Sequence, residues 1–236
     1  MSKSVKAYTI TFEDSDYNKE VLIDLSEKIA ENVRKSRGRI TKLNEFLKKS
    51  GKWVVGNHKA SLQRWKSFVL GRNPRNAAPD VVEFVDLIES IFSVCTCQDD
   101  WLKMRGLIPE KLFEPYFQSK NSGKVVGFGV NVFINGNKVH YKPNTLDSRQ
   151  TVDAGSWDGK FGEFVEIKFQ PSAFREKDIG YLTLLENQLD NNNISHKIKL
   201  LTFDDVRATK NLLIAEKLIT DKTRFEILSH ESFLAI

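Results

Sequence analysis

The chain has 236 residues, of which 40% are hydrophobic and 28% are charged, and its formal net charge at pH 7 is +5. This composition supports a hydrophobic core in each half of the chain and is unlike that of a disordered or low-complexity protein. No apolar run approaches the roughly 18 residues of a membrane span, and the start Met-Ser-Lys-Ser lacks a signal-peptide core. We therefore expect a cytoplasmic protein without a membrane partner.

The first 97 residues are predicted to form a helical domain, because apolar residues recur there at helical spacing in four segments. The predicted helices cover residues 18–35, 43–51, 58–70 and 80–92. The third helix is expected to bury one apolar face, formed by Leu62, Trp65, Phe68 and Val69. Two helices, a turn at residues 72–75 and a closing apolar helix follow one another in an order that resembles the helix-turn-helix domain of phage repressors, over residues 26–94.

Positive charge is concentrated in the same region. Between Arg34 and Arg75 there are thirteen Lys or Arg residues and one acid, Glu45, which gives a local net charge of +12, whereas the rest of the chain carries −7. So uneven a distribution is typical of a surface that binds a polyanion, and we expect double-stranded DNA as the partner. The helix-turn-helix resemblance implies that the third helix and the turn after it contact the DNA. The candidate DNA-binding residues are Lys59, Gln63, Arg64, Lys66, Arg72 and Arg75.

A second domain is predicted over residues 98–236. Two short helices, at residues 101–105 and from residue 108, are expected before a polar loop. Asn135-Gly136 between strand-like runs predicts a hairpin. The predicted strands cover residues 125–134, 138–142, the hairpin 151–169, 195–203 and 225–236, and the predicted helices cover 175–189 and 204–218. We therefore predict an α+β protein in which an all-α domain precedes an α/β domain with a mixed central sheet.

The hairpin at residues 151–169 carries the candidate catalytic residues. A turn centred between Gly159 and Lys160 sets Asp153 opposite Glu166, with Cβ atoms roughly 5 Å apart. Because side chains alternate along a strand, Lys168 shares the face of Glu166, whereas Ile167 and its apolar neighbours point to the other side. Two carboxylates beside one ammonium predict a divalent metal site with a neighbouring cation.

An Asp on one strand followed by Glu-x-Lys on the next resembles the PD-(D/E)xK nuclease superfamily, over roughly residues 110–236, with Val152 standing where that motif has Pro. The resemblance implies a restriction-endonuclease-like fold and a Mg²⁺ cofactor held by Asp153, Glu166 and the backbone carbonyl of Ile167. Lys168 is then expected to stabilise charge in the transition state.

The superfamily often has a Gln or Glu on the helix after the lysine strand, and by position the residue here is Gln188. A solvated helix residue is the alternative interpretation of Gln188. Glu163 is discounted as a catalytic acid because it lies an odd number of positions from Glu166 and so faces the opposite side. Glu110 and Glu114 are further candidate acids.

These features together predict a Mg²⁺-dependent DNA endonuclease of the Type II restriction kind, acting as a homodimer if both strands are cut. Two alternatives remain at this point. One is a DNA-binding regulator whose second domain is an inactive nuclease relic or a ligand sensor. The other is a structure-specific nuclease that acts on junctions, flaps or transposon ends.

Overall fold

The computed structural model of the chain describes residues 9–15, 19–71 and 73–234. The described residues divide into two compact units, one formed by residues 19–71, 73–115 and 233–234 and the other by residues 9–15 and 116–232. We expected the division at residues 97 and 98. The observed division falls at residues 115 and 116, inside a helix, and the N-terminal strand belongs to the same unit as the C-terminal half.

The first unit is helical. Its elements are α1 (Glu20–Arg34), α2 (Arg37–Lys49), α3 (Lys59–Leu70), α4 (Pro79–Val94) and the larger part of α5 (Gln98–Lys120), with short 3-10 turns at Ser50–Lys52 and Pro74–Asn76. Helix α1 packs against α2 and α4, and α3 packs against α4. The four helices predicted before residue 97 are therefore confirmed, although α2 begins six residues before the predicted start at residue 43.

Helix α5 differs from the prediction, because it is one continuous helix and not two short ones. It continues through Pro109 and Pro115, although a proline inside a helix costs about 3 kcal/mol. Met104, Ile108 and Leu112 recur every four residues and are almost completely buried. Burial of these three side chains offsets the cost of the prolines. The local sequence pattern does not show that this offset is available.

An aromatic cluster forms the core of the helical unit. Phe46 lies 5.0 Å from Trp65 and 5.8 Å from Trp101, measured between ring centroids, and Phe92 lies 5.0 Å from Trp101. Trp65 is therefore a core residue, as predicted. Phe68 was expected on the same buried face, but it is 62% exposed, because it is three residues further along α3 than Trp65 and lies at the edge of the packed stripe.

The second unit is built on a seven-stranded mixed sheet. The strands are β1 (Ile10–Asp14), β2 (Val125–Ile134), β3 (Asn137–Lys138), β4 (Thr151–Trp157), β5 (Phe161–Ile167), β6 (Ser195–Thr202) and β7 (Glu226–Ser229). Their order is β1-β2-β4-β5-β6-β7, with β3 paired to β2. The pairs from β1 to β5 are antiparallel, and β5-β6-β7 is parallel. The protein therefore has the α+β fold that the sequence predicted.

Three helices accompany the sheet: α6 (Glu176–Asn191), α7 (Val206–Ala215) and α8 (Glu231–Leu234). Helix α6 packs against β6 and buries Ile179, Leu182, Leu185 and Leu189, which recur at helical spacing. The predicted strand over residues 225–236 is shorter than expected, since β7 ends at Ser229 and α8 follows. Among the helices of the described part of the chain, none has the length and apolar character of a bilayer span.

Candidate functional site

The β4–β5 hairpin has the predicted register. Ala154 pairs with Val165 and Ser156 pairs with Glu163, and this register, extended by one residue, sets Asp153 opposite Glu166. The turn is fixed by the Asp158 carboxylate, which accepts hydrogen bonds from the backbone N–H groups of Lys160 (2.9 Å) and Phe161 (2.7 Å). Gly159 has φ of 91°, a conformation that glycine adopts without strain.

Asp153, Glu166 and Lys168 come together at one end of this hairpin. Glu166 is completely buried, and Asp153 is 8% exposed. The Lys168 ammonium donates a hydrogen bond to Glu166 Oε1 and lies 3.6 Å from Asp153 Oδ2. The backbone N–H of Ile167 donates to Asp153 Oδ2 at 2.6 Å. The structure therefore fixes the Asp153 carboxylate from the neighbouring strand.

A guanidinium that sequence reasoning missed lies among these acids. Arg149 Nη2 is 2.8 and 2.9 Å from the two Glu166 oxygens and 3.3 Å from Asp153 Oδ1. Its Nη1 is 3.4 Å from Asp178 Oδ1, and its Nε donates to the Thr151 carbonyl at 3.1 Å. Arg149 precedes β4 in a polar segment with no recognisable motif, so no local signal pointed to it.

Asp178 is a third carboxylate of the cluster and was also missed. It stands at the third position of α6, where its side chain accepts a hydrogen bond from the Arg175 backbone N–H at 2.9 Å. An acid in the first turn of a helix is ordinarily explained by capping alone. Its burial, at 3% exposure, and its ion pair with Arg149 place it in the cluster as well.

Burial and charge act against each other on the pKa values of the site. Burial raises the pKa of Glu166 to about 7, although Arg149 and Lys168 oppose the shift. Burial lowers the pKa of Lys168. Asp153 and Glu166 raise this pKa by a larger amount, so the net shift is upward. Lys168 therefore stays a cation at any physiological pH. Burial also raises the pKa of Tyr181, whose hydroxyl has no hydrogen-bond partner among the described residues and stays neutral.

Gln188 is not among the groups that contact the cluster. It lies ten residues beyond Asp178 on α6, which is about 15 Å along a helix axis. The α6 residue that contacts the cluster is Asp178, at the start of the helix. Ile167, expected to offer its backbone carbonyl, donates its N–H to Asp153 and pairs with Leu201 of β6.

Glu163 lies on the opposite face of β5, as its position predicted. Its carboxylate is 2.8 Å from the Lys199 ammonium and 3.2 Å from that of Lys120. Both Glu163 and Lys199 are buried. Strand β5 therefore carries two buried acid–base clusters, one on each face. The helical unit holds the other two candidate acids, Glu110 and Glu114. Glu114 pairs with Lys111 at 2.9 Å.

The donor chemistry of the first cluster fits a hard divalent cation. Oxygens of Asp153 and Glu166 surround one point, and the Nη2 atom of the Arg149 guanidinium occupies it. Magnesium prefers such oxygen ligands and takes only one or two protein carboxylates. In the described part of the chain, no group of three or more acidic, His or Cys side chains is arranged to hold a metal ion.

The candidate DNA-binding residues differ in accessibility. Lys59, Gln63 and Arg64 on α3 and Arg75 in the turn after it are exposed. Lys66 was expected to face outward, but its side chain is 19% exposed and pairs with Glu89 of α4 at 2.5 Å, because α3 packs against that helix. Arg72 lies outside the described residues.

Comparisons with known proteins add little to this geometry. No protein-family model and no curated protein matches the chain. Among solved structures, a similar one is described as the crystal structure of protein VC1899 from Vibrio cholerae, with 11% sequence identity and a TM-score of 0.46. The similarity covers 97% of this chain and 56% of that one, so the chain spans little more than half of its length.

Proposed function

We propose that the protein is a Mg²⁺-dependent DNA endonuclease that hydrolyses phosphodiester bonds. The observation that carries the proposal is the convergence of Asp153 and Glu166 beside the Lys168 ammonium, on two adjacent strands. Two carboxylates and a lysine in this arrangement match the Asp and Glu-x-Lys pattern of the PD-(D/E)xK nucleases.

Each residue of the cluster has a distinct task in this reaction. Asp153 and Glu166 would hold Mg²⁺, which when bound polarises the phosphoryl oxygen and lowers the pKa of a coordinated water. Lys168 remains protonated, because the neighbouring acids raise its pKa. It would serve as a positive charge beside the phosphate. The N–H of Ile167 orients Asp153.

The helical unit is proposed to bind the duplex. Lys59, Gln63, Arg64 and Arg75 are exposed on α3 and the following turn, within the segment of +12 net charge. Such a surface attracts the phosphate backbone, and Gln and Arg on a helix are also suited to reading adenine and guanine edges. Two copies of the chain would cut both strands, since each chain carries one such cluster among its described residues.

A DNA-binding regulator with an inactive nuclease-like domain is the second candidate. The observation that favours it is that Arg149 and Lys168 already compensate the acids. In that case the cluster is a structural ion network and needs no metal.

Cleavage assays separate the two candidates. Purified full-length protein is incubated with plasmid and linear duplex DNA in Mg²⁺, and Lys168→Ala is compared with Lys160→Ala, a control at an exposed turn position of the same hairpin. We expect Lys168→Ala to bind DNA normally and to cleave at least about 10²-fold more slowly, and Lys160→Ala to behave as wild type. A wild-type protein that binds duplex DNA but cuts none would favour the regulator.

A further inference from the structure

Arg149 is held more tightly than a surface arginine. Its guanidinium contacts three buried or nearly buried carboxylates, those of Asp153, Glu166 and Asp178, and its side chain is 20% exposed. Its backbone is held separately, because Arg149 and Tyr141 exchange two backbone hydrogen bonds of 2.9 and 3.1 Å. These backbone bonds do not depend on the contacts of the guanidinium with the acids.

The position of Nη2 leaves no room for a second cation between the same oxygens. Nη2 is within 3.3 Å of both Asp153 and Glu166, whereas magnesium–oxygen bonds are about 2.1 Å long. A magnesium ion bound to both carboxylates would occupy almost the same point as this nitrogen. Two positive charges at that separation repel strongly, so the two cations exclude each other.

We propose that Arg149 is the resident counter-cation of the site, and that a divalent cation binds Asp153 and Glu166 only by displacing it, which frees the guanidinium to bind a substrate phosphate. This inference rests on the proposed nuclease function for its substrate. The fork of N–H donors on a guanidinium matches phosphate as well as carboxylate. Arg149 is thus a positioning residue in the metal-free protein and a phosphate ligand in the loaded one.

Charge balance supports the exchange. The three carboxylates and the two cations of the cluster leave a formal charge of −1. With Mg²⁺ bound, and with the displaced Arg149 still counted, the formal charge becomes +1, which a substrate phosphate held by Arg149 then neutralises. Metal and DNA should therefore strengthen each other's binding, since such coupling is reciprocal.

Calorimetric titration of Mg²⁺ into the full-length protein without DNA, at pH 8, tests the exchange directly. Arg149→Gln removes the competing cation, and we expect its Mg²⁺ dissociation constant to fall at least about tenfold. Arg224→Gln is the matched control, because Arg224 also bridges two acids, Glu186 and Asp190, but is 60% exposed and away from the cluster. It should bind Mg²⁺ as the wild type does. Equal or weaker Mg²⁺ binding by Arg149→Gln would overturn the proposal.

Arg149→Lys covers the case in which Arg149→Gln does not fold without metal. Lysine keeps the positive charge but lacks the forked N–H donors of a guanidinium. We therefore expect a Mg²⁺ affinity between those of the wild type and Arg149→Gln. A Mg²⁺ affinity no higher than that of the wild type would also overturn the exchange. DNA cleavage by the wild type is scored separately. Tighter Mg²⁺ binding in the variants without any cleavage by the wild type would leave the exchange standing and reject the nuclease function. Cleavage by the wild type with unchanged Mg²⁺ binding in the variants would reject the exchange and leave the nuclease function standing.

Discussion

Lys199→Met should separate the Glu163–Lys199 cluster of β5 from the cluster that we propose to be catalytic. Lys199 is 4% exposed, and its ammonium is 2.8 Å from Glu163 and 3.7 Å from Glu226. Methionine fills a similar volume without the charge. The substitution leaves Glu163 buried, with Lys120 at 3.2 Å as its remaining partner. We expect a less stable protein whose folded molecules cleave DNA at the normal rate.

The size of the effect follows from burial. Removing one partner of a buried ion pair costs about 3–5 kcal/mol. The lower value applies here, because Lys120 remains close to Glu163. At roughly 4 °C per kcal/mol for a unit of this size, about 3 kcal/mol lowers the melting temperature of the sheet unit by roughly 10 °C. The double variant Glu163→Gln with Lys199→Met should recover most of the loss, since it leaves no unmatched buried charge at this position.

The destabilisation should depend on pH. Burial raises the pKa of Glu163, but the bonds from Lys199 and Lys120 lower it by more, so its pKa in the folded protein lies below the usual range. The stability that ionised Glu163 contributes is therefore present above its unfolded pKa and is lost as the pH falls through the folded pKa. Without Lys199, burial raises the pKa, and Glu163 takes up a proton on mild acidification. The difference between wild type and variant should shrink between pH 7 and pH 5.

Hydrogen exchange measured on peptides from β5 and β6, together with thermal unfolding, would check these values. Lys120→Met is the control, because Lys120 is 40% exposed and its exposed pair is worth at most about 1 kcal/mol. If Lys199→Met and Lys120→Met destabilise equally, or if the loss is the same at pH 5 and pH 7, the argument from burial is refuted. Slow cleavage by folded Lys199→Met would show that both faces of β5 serve the reaction.

Two further predictions concern packing and DNA binding. Gly180→Ala should destabilise the sheet unit by about 1–3 kcal/mol, since a Cβ there would lie 2.4 Å from the Tyr141 ring. Gly106→Ala should stabilise the protein by about 0.5–1 kcal/mol, since Gly106 lies in the interior of α5 and a Cβ there would have its nearest side-chain atom at 3.6 Å. Melting temperatures of the two glycine variants that shift in the same direction would contradict this. Arg64→Ala should weaken duplex binding and reduce the salt slope by about 0.9, whereas Lys66→Ala, already ion-paired, should change it little. Equal effects of these two in salt titrations would remove that distinction.

The β4–β5 hairpin is the element that the sequence predicted most completely. Asp158 and Gly159 fix a two-residue turn, and strict alternation then determines that Asp153 and Glu166 face each other. The buried stripe of α6 and the Asp205 cap of α7, which accepts from the Ala208 N–H at 2.8 Å, were predictable for the same reason. Each of these depends on residues that are close together in the chain.

The features that join distant segments depend on the tertiary structure. Strand β1 pairs with β2 across more than a hundred residues, and no local pattern shows which edge a short N-terminal strand will cover. Arg149 and Asp178 come from a loop and a helix start, and only packing against the sheet brings both to Glu166. Local periodicity specifies which face a side chain occupies. Which charges share that face depends on long-range packing. A buried charge is costly unless it is paired, and its partner can come from any element that packs beside it.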